Sequence, residues 1–300
     1  MQDCGKPAAV IRTRASSTMN AGRRWAEALR ALAIPEAILA AAPEPWRGPD
    51  PAVFRGRTEA PLRAPLSASH RRALDALPKD GSVLDVGVGA GAASLPLASG
   101  AGLIVGVDRS QAMLSEFRRC ARQASVRAQA VLGTWPDVAP RVEPADVVVC
   151  HHVLYQVPDL GPFIQALSAH AHRRVVVEIT SRHPQAWMND LWLRFQGIAR
   201  PEGPGAEEAV AALEELGVPL ERENHSLEAL GTGFEHREDA VGEVRRRLCL
   251  PPERDGEVEK ALGDRLVQRE GLWCSFPQAQ EVVTLWWEPS MPENDPPPPA

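Results

Sequence analysis

The stretch VLDVGVGAGAASLPLA, residues 83–98, constrains the fold more than any other part of the chain. An apolar run, Val83 to Val86, ends in three alternating glycines, Gly87, Gly89 and Gly91, and an alanine-rich run follows at once. Read locally, this is a strand, a tight turn and a helix, because glycine lets a backbone turn sharply and approach a ligand closely. The first turn of such a helix directs free N–H groups at whatever lies over the loop. Asp85 sits inside the strand, two residues before the first glycine.

Downstream, apolar strands alternate with amphipathic stretches, which predicts a parallel sheet covered on both faces. Leu103 to Val107 is a second strand closed by Asp108, and Ser110 is placed to cap a helix with Met113, Phe117 and Cys120 on one face. Further strands are predicted at 126–132, 145–150, 174–178, 219–228 and 281–287, with a helix over 160–170 and an amphipathic helix marked by Trp187, Leu191, Phe195 and Ile198. Before the glycine loop, Trp25, Leu29 and Leu32 recur at helical spacing, Pro35 opens a second short helix, and Ser67 caps a third that runs to Leu77. Residues 1–18 and 289–300 are expected to be disordered, and Met19 is a possible start of translation. The Pro-rich 43–65 segment, with Trp46 and Phe54, reads as an ordered loop or lid within an N-terminal unit, 19–66.

Asp108 lies 21 residues beyond Gly87. A carboxylate at the end of the second strand can accept hydrogen bonds from both hydroxyls of a ribose. The glycine pattern also satisfies the dinucleotide fingerprint, so this spacing points to an adenosine-containing ligand without choosing between a nicotinamide dinucleotide and S-adenosylmethionine.

The choice comes from three motifs taken together. Asp85-x-Gly-x-Gly-x-Gly, then VGVDRSQAML, then ADVVVCHHVLYQVPD, in that order and spacing over roughly residues 68–180, resemble the class I S-adenosylmethionine-dependent methyltransferases. Residues 20–287 also resemble an uncharacterised bacterial subgroup of that class, through HPQAWMNDLW (183–192) and RRRLCLPPER (245–254). The resemblance implies a doubly wound, seven-stranded, mostly parallel α/β sheet whose last strand is antiparallel and lies between the fifth and sixth. It also implies one domain over 67–288, preceded by N-terminal helices, with a helical cap inserted at about 229–279 before the last strand. The implied cofactor is S-adenosyl-L-methionine. Carried over residue by residue, Asp85, Gly87, Gly89 and Gly91 hold its methionine end and ribose, and Asp108 binds the ribose with Arg109 beside it. Met113 packs behind, Gly133, Thr134 and Trp135 meet the adenine, and Cys150 and His151 face the sulfonium.

Methyl transfer is an in-line displacement, so alignment of the partners is the main task. A base is required only when the acceptor must lose a proton. His151 and Tyr155 are the expected catalytic pair, with His152 read as a buried, hydrogen-bonded residue and His183 as a capping residue. The expected function is methyl transfer to a small-molecule acceptor. A non-catalytic S-adenosylmethionine binder and an NAD-dependent oxidoreductase are the alternatives.

Charge and cysteine content narrow the setting. A net charge of −6 gives no general attraction to nucleic acid, although the first 80 residues hold 13 Lys and Arg against 8 Asp and Glu. Arg245, Arg246 and Arg247 read as a solvated helix face. Five cysteines without a CxxC pair indicate neither a disulfide framework nor a zinc site, so no metal is expected. No apolar run is long enough for a membrane span, and a cytoplasmic setting is expected.

Overall fold

The computed structural model describes residues 20–44, 65–228, 233–269, 271–275 and 279–289. The expected disordered ends, Met19 and the loop carrying Trp46 and Phe54 lie outside the described residues, the first and last residues of those segments aside.

The helices are α1 Ala21–Ala31, α2 Glu36–Ala41, α3 Ala68–Ala76, α4 Gln111–Gln123, α5 Leu160–Ala169, α6 Asn189–Gln196, α7 Ala206–Glu215, α8 Arg237–Arg247 and α9 Asp255–Leu262. The strands are β1 Gly81–Val86, β2 Ala101–Asp108, β3 Ala128–Leu132, β4 Ala145–His151, β5 Ala171–Thr180, β6 Glu221–Glu228, β7 Val267–Arg269, β8 Leu272–Cys274 and β9 Ala279–Trp287. Seven of these strands form one sheet in the order β3-β2-β1-β4-β5-β9-β6. β9 runs antiparallel to both β5 and β6, and the other pairings are parallel. The sheet therefore has the expected topology, including the insertion of the last strand.

Central strands are buried on both faces, which is why β1, β4 and β5 are continuous apolar runs. On one face, α3 and α4 cover Val83, Ile104, Val147, Val149 and Val176. On the other, α5 and α7, with α1 packed on α7, cover Leu84, Val148, Val175 and Val177. Trp25 of α1 is wholly buried there and its indole N–H donates to Val157 O at 2.8 Å. The edge strand β6 begins Glu-Arg-Glu, charges that keep a free sheet edge from pairing with another chain. Ser67 caps α3 as expected, in a reciprocal box completed by His70.

A second core lies apart from the sheet. Met188, Leu191 and Trp192 pack with Val241, Val244 and Leu248 of α8 and with Val258 and Leu262 of α9, while Ile38 and Leu39 of α2 close its side. A small hairpin, β7–β8, joins this unit and was not legible in the sequence.

Three expectations need correction. No α-helix follows the glycine loop: turns lead to a short 3-10 turn, Leu95–Leu97. Pro96 has no N–H to continue a helix, and Gly100 and β2 follow within five residues. The amphipathic helix read through Trp187 and Ile198 is confined to α6, because Gly197, in the left-handed region, stops it. Arg245 and Arg247 are buried rather than solvated. Arg247 and Arg246 pair with buried Glu243 at 3.0 Å, and Arg245 donates to Leu250 O and meets Asp255 at 2.9 Å.

Candidate active site

The carboxyl ends of β1 and β4 adjoin at the point where the strand order reverses, which is where open α/β sheets bind ligands. The glycine loop rises from β1 here and is stitched to the end of β2, with Gly87 and Val88 N–H both donating to Val107 O, at 2.8 and 3.0 Å. Gly87 has φ +78°, and a Cβ on it would lie 2.3 Å from Val153 Cγ2, so only glycine fits against the turn that follows β4. At Gly89 the opposite holds: a Cβ would meet nothing within 4 Å, so the loop faces open space at that point.

Gly89 N–H donates to Asp108 Oδ2 at 3.0 Å, and Ser110 N–H donates to Oδ1 at 2.8 Å. Asp108 is half-buried, and its carbonyl accepts from Gly133 N–H at 3.0 Å. One residue thus ties together the glycine loop, the start of α4 and the turn after β3. Each of its carboxylate oxygens keeps a further lone pair. The N–H groups of Gly87, Val88, Gly89 and Gly91 donate to acceptors within the protein.

Asp85 is 1% exposed. Its Oδ2 accepts from Ser94 Oγ at 2.6 Å, and its Oδ1 is buried without a partner. Burial raises its pKa to about 7; the Ser94 hydrogen bond opposes this and the Asp108 charge adds to it.

The other expected cofactor contacts divide into two groups. Arg109 is exposed and donates to Gln156 Oε1 at 2.6 Å, bridging the end of β2 to the 3-10 turn Leu154–Gln156. Met113 is half-buried on α4 and Thr134 is exposed beside Gly133, both at the open edge. Trp135 and Cys150 turn away from it. The indole of Trp135 is buried, donates to Phe163 O at 3.4 Å and stands edge-on to His170 at 4.9 Å. Strand alternation places Cys150 on the α5 face, opposite to His151, where burial pushes its thiol up. The expectation that both Cys150 and His151 face the reaction centre is therefore corrected for the Cys150 side chain.

Burial makes both members of the expected catalytic pair poor proton acceptors at neutral pH. The Nε2 atom of His151 is shielded and unpartnered, and burial depresses the ring's pKa to about 3, against the pull of Glu178. The Tyr155 hydroxyl donates to Thr180 Oγ1 and accepts from Thr180 N–H, and burial pushes its pKa up. Tyr155 thereby fastens the turn after β4 to the end of β5. His183 stands edge-on to Tyr155 at 5.3 Å, and its Nδ1 accepts from Gln185 N–H at 3.2 Å, a turn contact two residues along that caps no helix. Burial lowers its pKa to about 4.

A group that sequence reasoning missed surrounds Glu178, opposite His151 in the β4–β5 register. Glu178 is 4% exposed. Ser69 Oγ donates to its Oε2 at 2.6 Å, His152 Nε2 lies 3.0 Å from Oε1, and His225 Nε2 of β6 lies 3.6 Å from Oε2. Burial alone would raise the Glu178 pKa; the imidazoles of His151, His152 and His225 outweigh it and hold the carboxyl well below its usual range. In return, Glu178 raises the pKa of His225. His70 donates through Nε2 to Ala92 O at 3.1 Å while Nδ1 accepts from Ser67 N–H at 3.3 Å, linking α3 to the segment after the glycine loop. The available signal was one charged residue inside the apolar run VVVEIT. His152 is hydrogen-bonded as expected, but its side chain is 38% exposed rather than buried.

Among the described residues, no three His, Cys, Asp or Glu side chains are placed to hold a metal ion, and no helix is long and apolar enough to cross a membrane. A surface groove lined by Arg71, Arg72, Leu74, Asp75 and Glu223 lies on the outer side of α3, away from the loop.

Residues 83–174 match the family model described as a methyltransferase domain. No curated protein matches the sequence. Among solved structures, YcgJ from Bacillus subtilis is 15% identical, with 75% of this chain and 99% of that one covered at a TM-score of 0.47. A SAM-dependent methyltransferase from Geobacter sulfurreducens, in complex with S-adenosyl-L-homocysteine, is also 15% identical, over 80% of this chain and 98% of that one, at 0.47. Magnesium protoporphyrin IX methyltransferase from Synechocystis is 16% identical, over 78% and 93%, at 0.41. The motif order, the β3-β2-β1-β4-β5-β9-β6 sheet and the matched model agree: residues 83–174 are similar to methyltransferase domains, and the sheet has the strand order implied by the resemblance to the class I S-adenosylmethionine-dependent methyltransferases.

Proposed function

We propose that the edge over β1 and β4 binds S-adenosyl-L-methionine and passes its methyl group to a small-molecule acceptor. The observation that carries this is Asp108, a half-buried carboxylate fixed by Gly89 and Ser110 N–H groups beside the open side of Gly89. The donor set fits the cofactor. Asp108 has two lone pairs left for ribose hydroxyls, and the unpartnered Oδ1 of Asp85 can accept from a cationic or amino donor at the methionine end. Gly87, Gly89 and Gly91 let the backbone come close. Arg109, Met113, Gly133 and Thr134 border the adenosine side. Trp135 and Cys150 serve by holding the turns from within the core. The bound cofactor supplies an activated methyl group on a sulfonium.

The protein's own contribution is alignment and exclusion of water. His151, neutral at physiological pH, offers an uncharged wall that does not repel a sulfonium. Tyr155 fixes the turn after β4, so that Val153 stays wedged against Gly87. The helices between β6 and β9, cored on Val244 and Val258, serve as the cap over the acceptor side. A small acceptor suits the electrostatics, since Arg109 and Arg182 near this edge are engaged by Gln156 and Glu202 and the chain is acidic overall. Asp108→Ala is expected to weaken S-adenosyl-L-homocysteine binding by about 10-fold to 100-fold, the net loss of one hydrogen bond to a charged acceptor. Isothermal titration reads this directly, and unchanged affinity would remove Asp108 from the cofactor site.

A further inference from the structure

We infer that His152 and Glu178 form the acid–base pair of this site, with His152 taking the proton of a weakly acidic, phenol-like hydroxyl on the acceptor. The inference rests on the cofactor site proposed above. His152 is held by Glu178 twice: its backbone N–H donates to Glu178 O at 2.8 Å, and its Nε2 lies 3.0 Å from Oε1. A carboxylate accepts, so Nε2 carries the ring proton and Nδ1 carries the lone pair. The residue also sits at φ +58°, in the left-handed region that histidine enters more readily than most side chains. That conformation places it on the turn whose next residue, Val153, abuts Gly87 of the cofactor loop.

Glu178 of β5 meets the ring directly, and the groups that face that carboxylate are His151 of β4, Ser69 of α3 and His225 of β6. Ser69 Oγ and His225 address Oε2 of Glu178, which leaves Oε1 to His152. Both nitrogens of His70 are bonded, Nδ1 of His183 accepts from the backbone, and Nε2 of His151 is sealed from solvent. His152, 38% exposed on its side chain, has access both to an acceptor and to bulk water.

The arrangement has the logic of an oriented imidazole base, in which a buried carboxylate fixes the tautomer and stabilises the imidazolium that forms. In the step, the acceptor oxygen forms a bond to the methyl carbon as the carbon–sulfur bond breaks with its electron pair left on sulfur. The hydroxyl proton passes to Nδ1 of His152 and from there to solvent. The chemistry of the base selects the acceptor. A phenolic hydroxyl is acidic enough to hand its proton to an imidazole during attack. A thiolate or carboxylate has no proton to lose, and an aliphatic hydroxyl lies much further from imidazole.

His152→Gly keeps the φ +58° backbone and tests the pair. With full-length protein, binding of S-adenosyl-L-homocysteine by the variant should stay within about 3-fold, while methylation of catechol, guaiacol or 4-hydroxybenzoate falls about 100-fold or more. Methylation of thiophenol at pH 8, where it is already the thiolate, should change by less than about 3-fold, and added imidazole should restore phenol turnover but not affect thiophenol. Independently of turnover, nitrogen-15 spectra of the wild type, with the His152 signals assigned from His152→Asn, should show the Nε2–H tautomer. A wild type that binds S-adenosyl-L-homocysteine but methylates none of the three phenols overturns the inference. Equal losses on phenol and thiol, absence of imidazole rescue, or an Nδ1–H tautomer does the same. Failure of the wild type to bind the homocysteine product defeats instead the cofactor reading beneath it.

Discussion

Asp85 and Glu178 stand on the same face of the same sheet, two strands apart, and are 1% and 4% exposed. Burial acts on both in the same direction, yet they end in opposite states. Asp85 has one hydrogen-bond donor, Ser94, a bare Oδ1 and a second carboxylate nearby, so its pKa rises to about 7. Glu178 has a serine hydroxyl and a ring of imidazoles, and its pKa falls. Partners, not depth, decide whether a buried carboxyl holds a proton. The difference also divides labour across the edge. The side under the glycine loop keeps an acceptor without a donor, while on the β5 side both carboxylate oxygens are engaged.

The largest effect should come from breaking the β5 side. Glu178→Leu leaves the Ser69 hydroxyl, His152 and His225 facing an apolar side chain. Removing one member of a buried charged group typically costs about 3–5 kcal/mol. Urea unfolding at pH 7 measures it, and a loss under about 1 kcal/mol would mean that the imidazole ring does not stabilise the fold.

Next in size is the tilt that Asp85 gives to stability against pH. Its folded pKa, about 7, lies above the ordinary aspartate value of 3.8. Between those values the folded state holds a proton that the unfolded state has lost. The stabilisation is therefore full below about pH 4 and disappears as pH rises through 7, by up to about 4 kcal/mol. Glu178, with a depressed pKa, tilts the curve the other way: its contribution is present above the unfolded carboxyl value and is lost on acidification. Asp85→Asn should flatten the first slope, leaving the variant closest to wild type in acid and relatively more stable at pH 8. Parallel stability curves for variant and wild type between pH 4 and 8 would place Asp85 in its ordinary ionised state.

The two sides also differ in how legible they were. The Asp85 side is written almost contiguously: an apolar run, three glycines, and Asp108 at the end of the next strand. Its outline was readable because each signal acts over a few residues. Pro96 was the local signal left unweighed, which is why a helix was expected where turns occur. The Glu178 side is assembled from α3, the turn after β4, β5 and β6, with Ser69 109 positions from its partner. No periodicity reports such a meeting, and only the glutamate inside VVVEIT betrays it. Trp135 and Cys150 failed for a related reason. Their positions at strand ends were right, but the face each side chain takes is set by the helix layer packed beneath. Likewise Arg245 and Arg247 read as a solvated face until Glu243, Asp255 and the Leu250 carbonyl are brought around them. The antiparallel insertion of β9 came from family resemblance; strand patterns alone do not order a sheet.

The smallest effect isolates the one bond that Asp85 does have. Ser94 and Asp85 are both buried, and the 2.6 Å contact runs from the hydroxyl to Oδ2. Because that hydrogen bond favours the ionised carboxyl, Ser94→Ala should raise the Asp85 pKa further, toward the behaviour of a carboxyl with no partner at all. The cost to folding should itself depend on pH. At pH 8 the variant loses a hydrogen bond to a charged acceptor, about 1.5–3 kcal/mol. At pH 5 the carboxyl is neutral in both proteins and the loss should be about 0.5–1.5 kcal/mol. Denaturation at the two pH values, with the carboxyl signal followed by carbon-13 spectra, separates these cases. If the penalty is the same at both, the proton on Asp85 does not depend on Ser94, and the contrast with Glu178 then rests on the imidazoles alone.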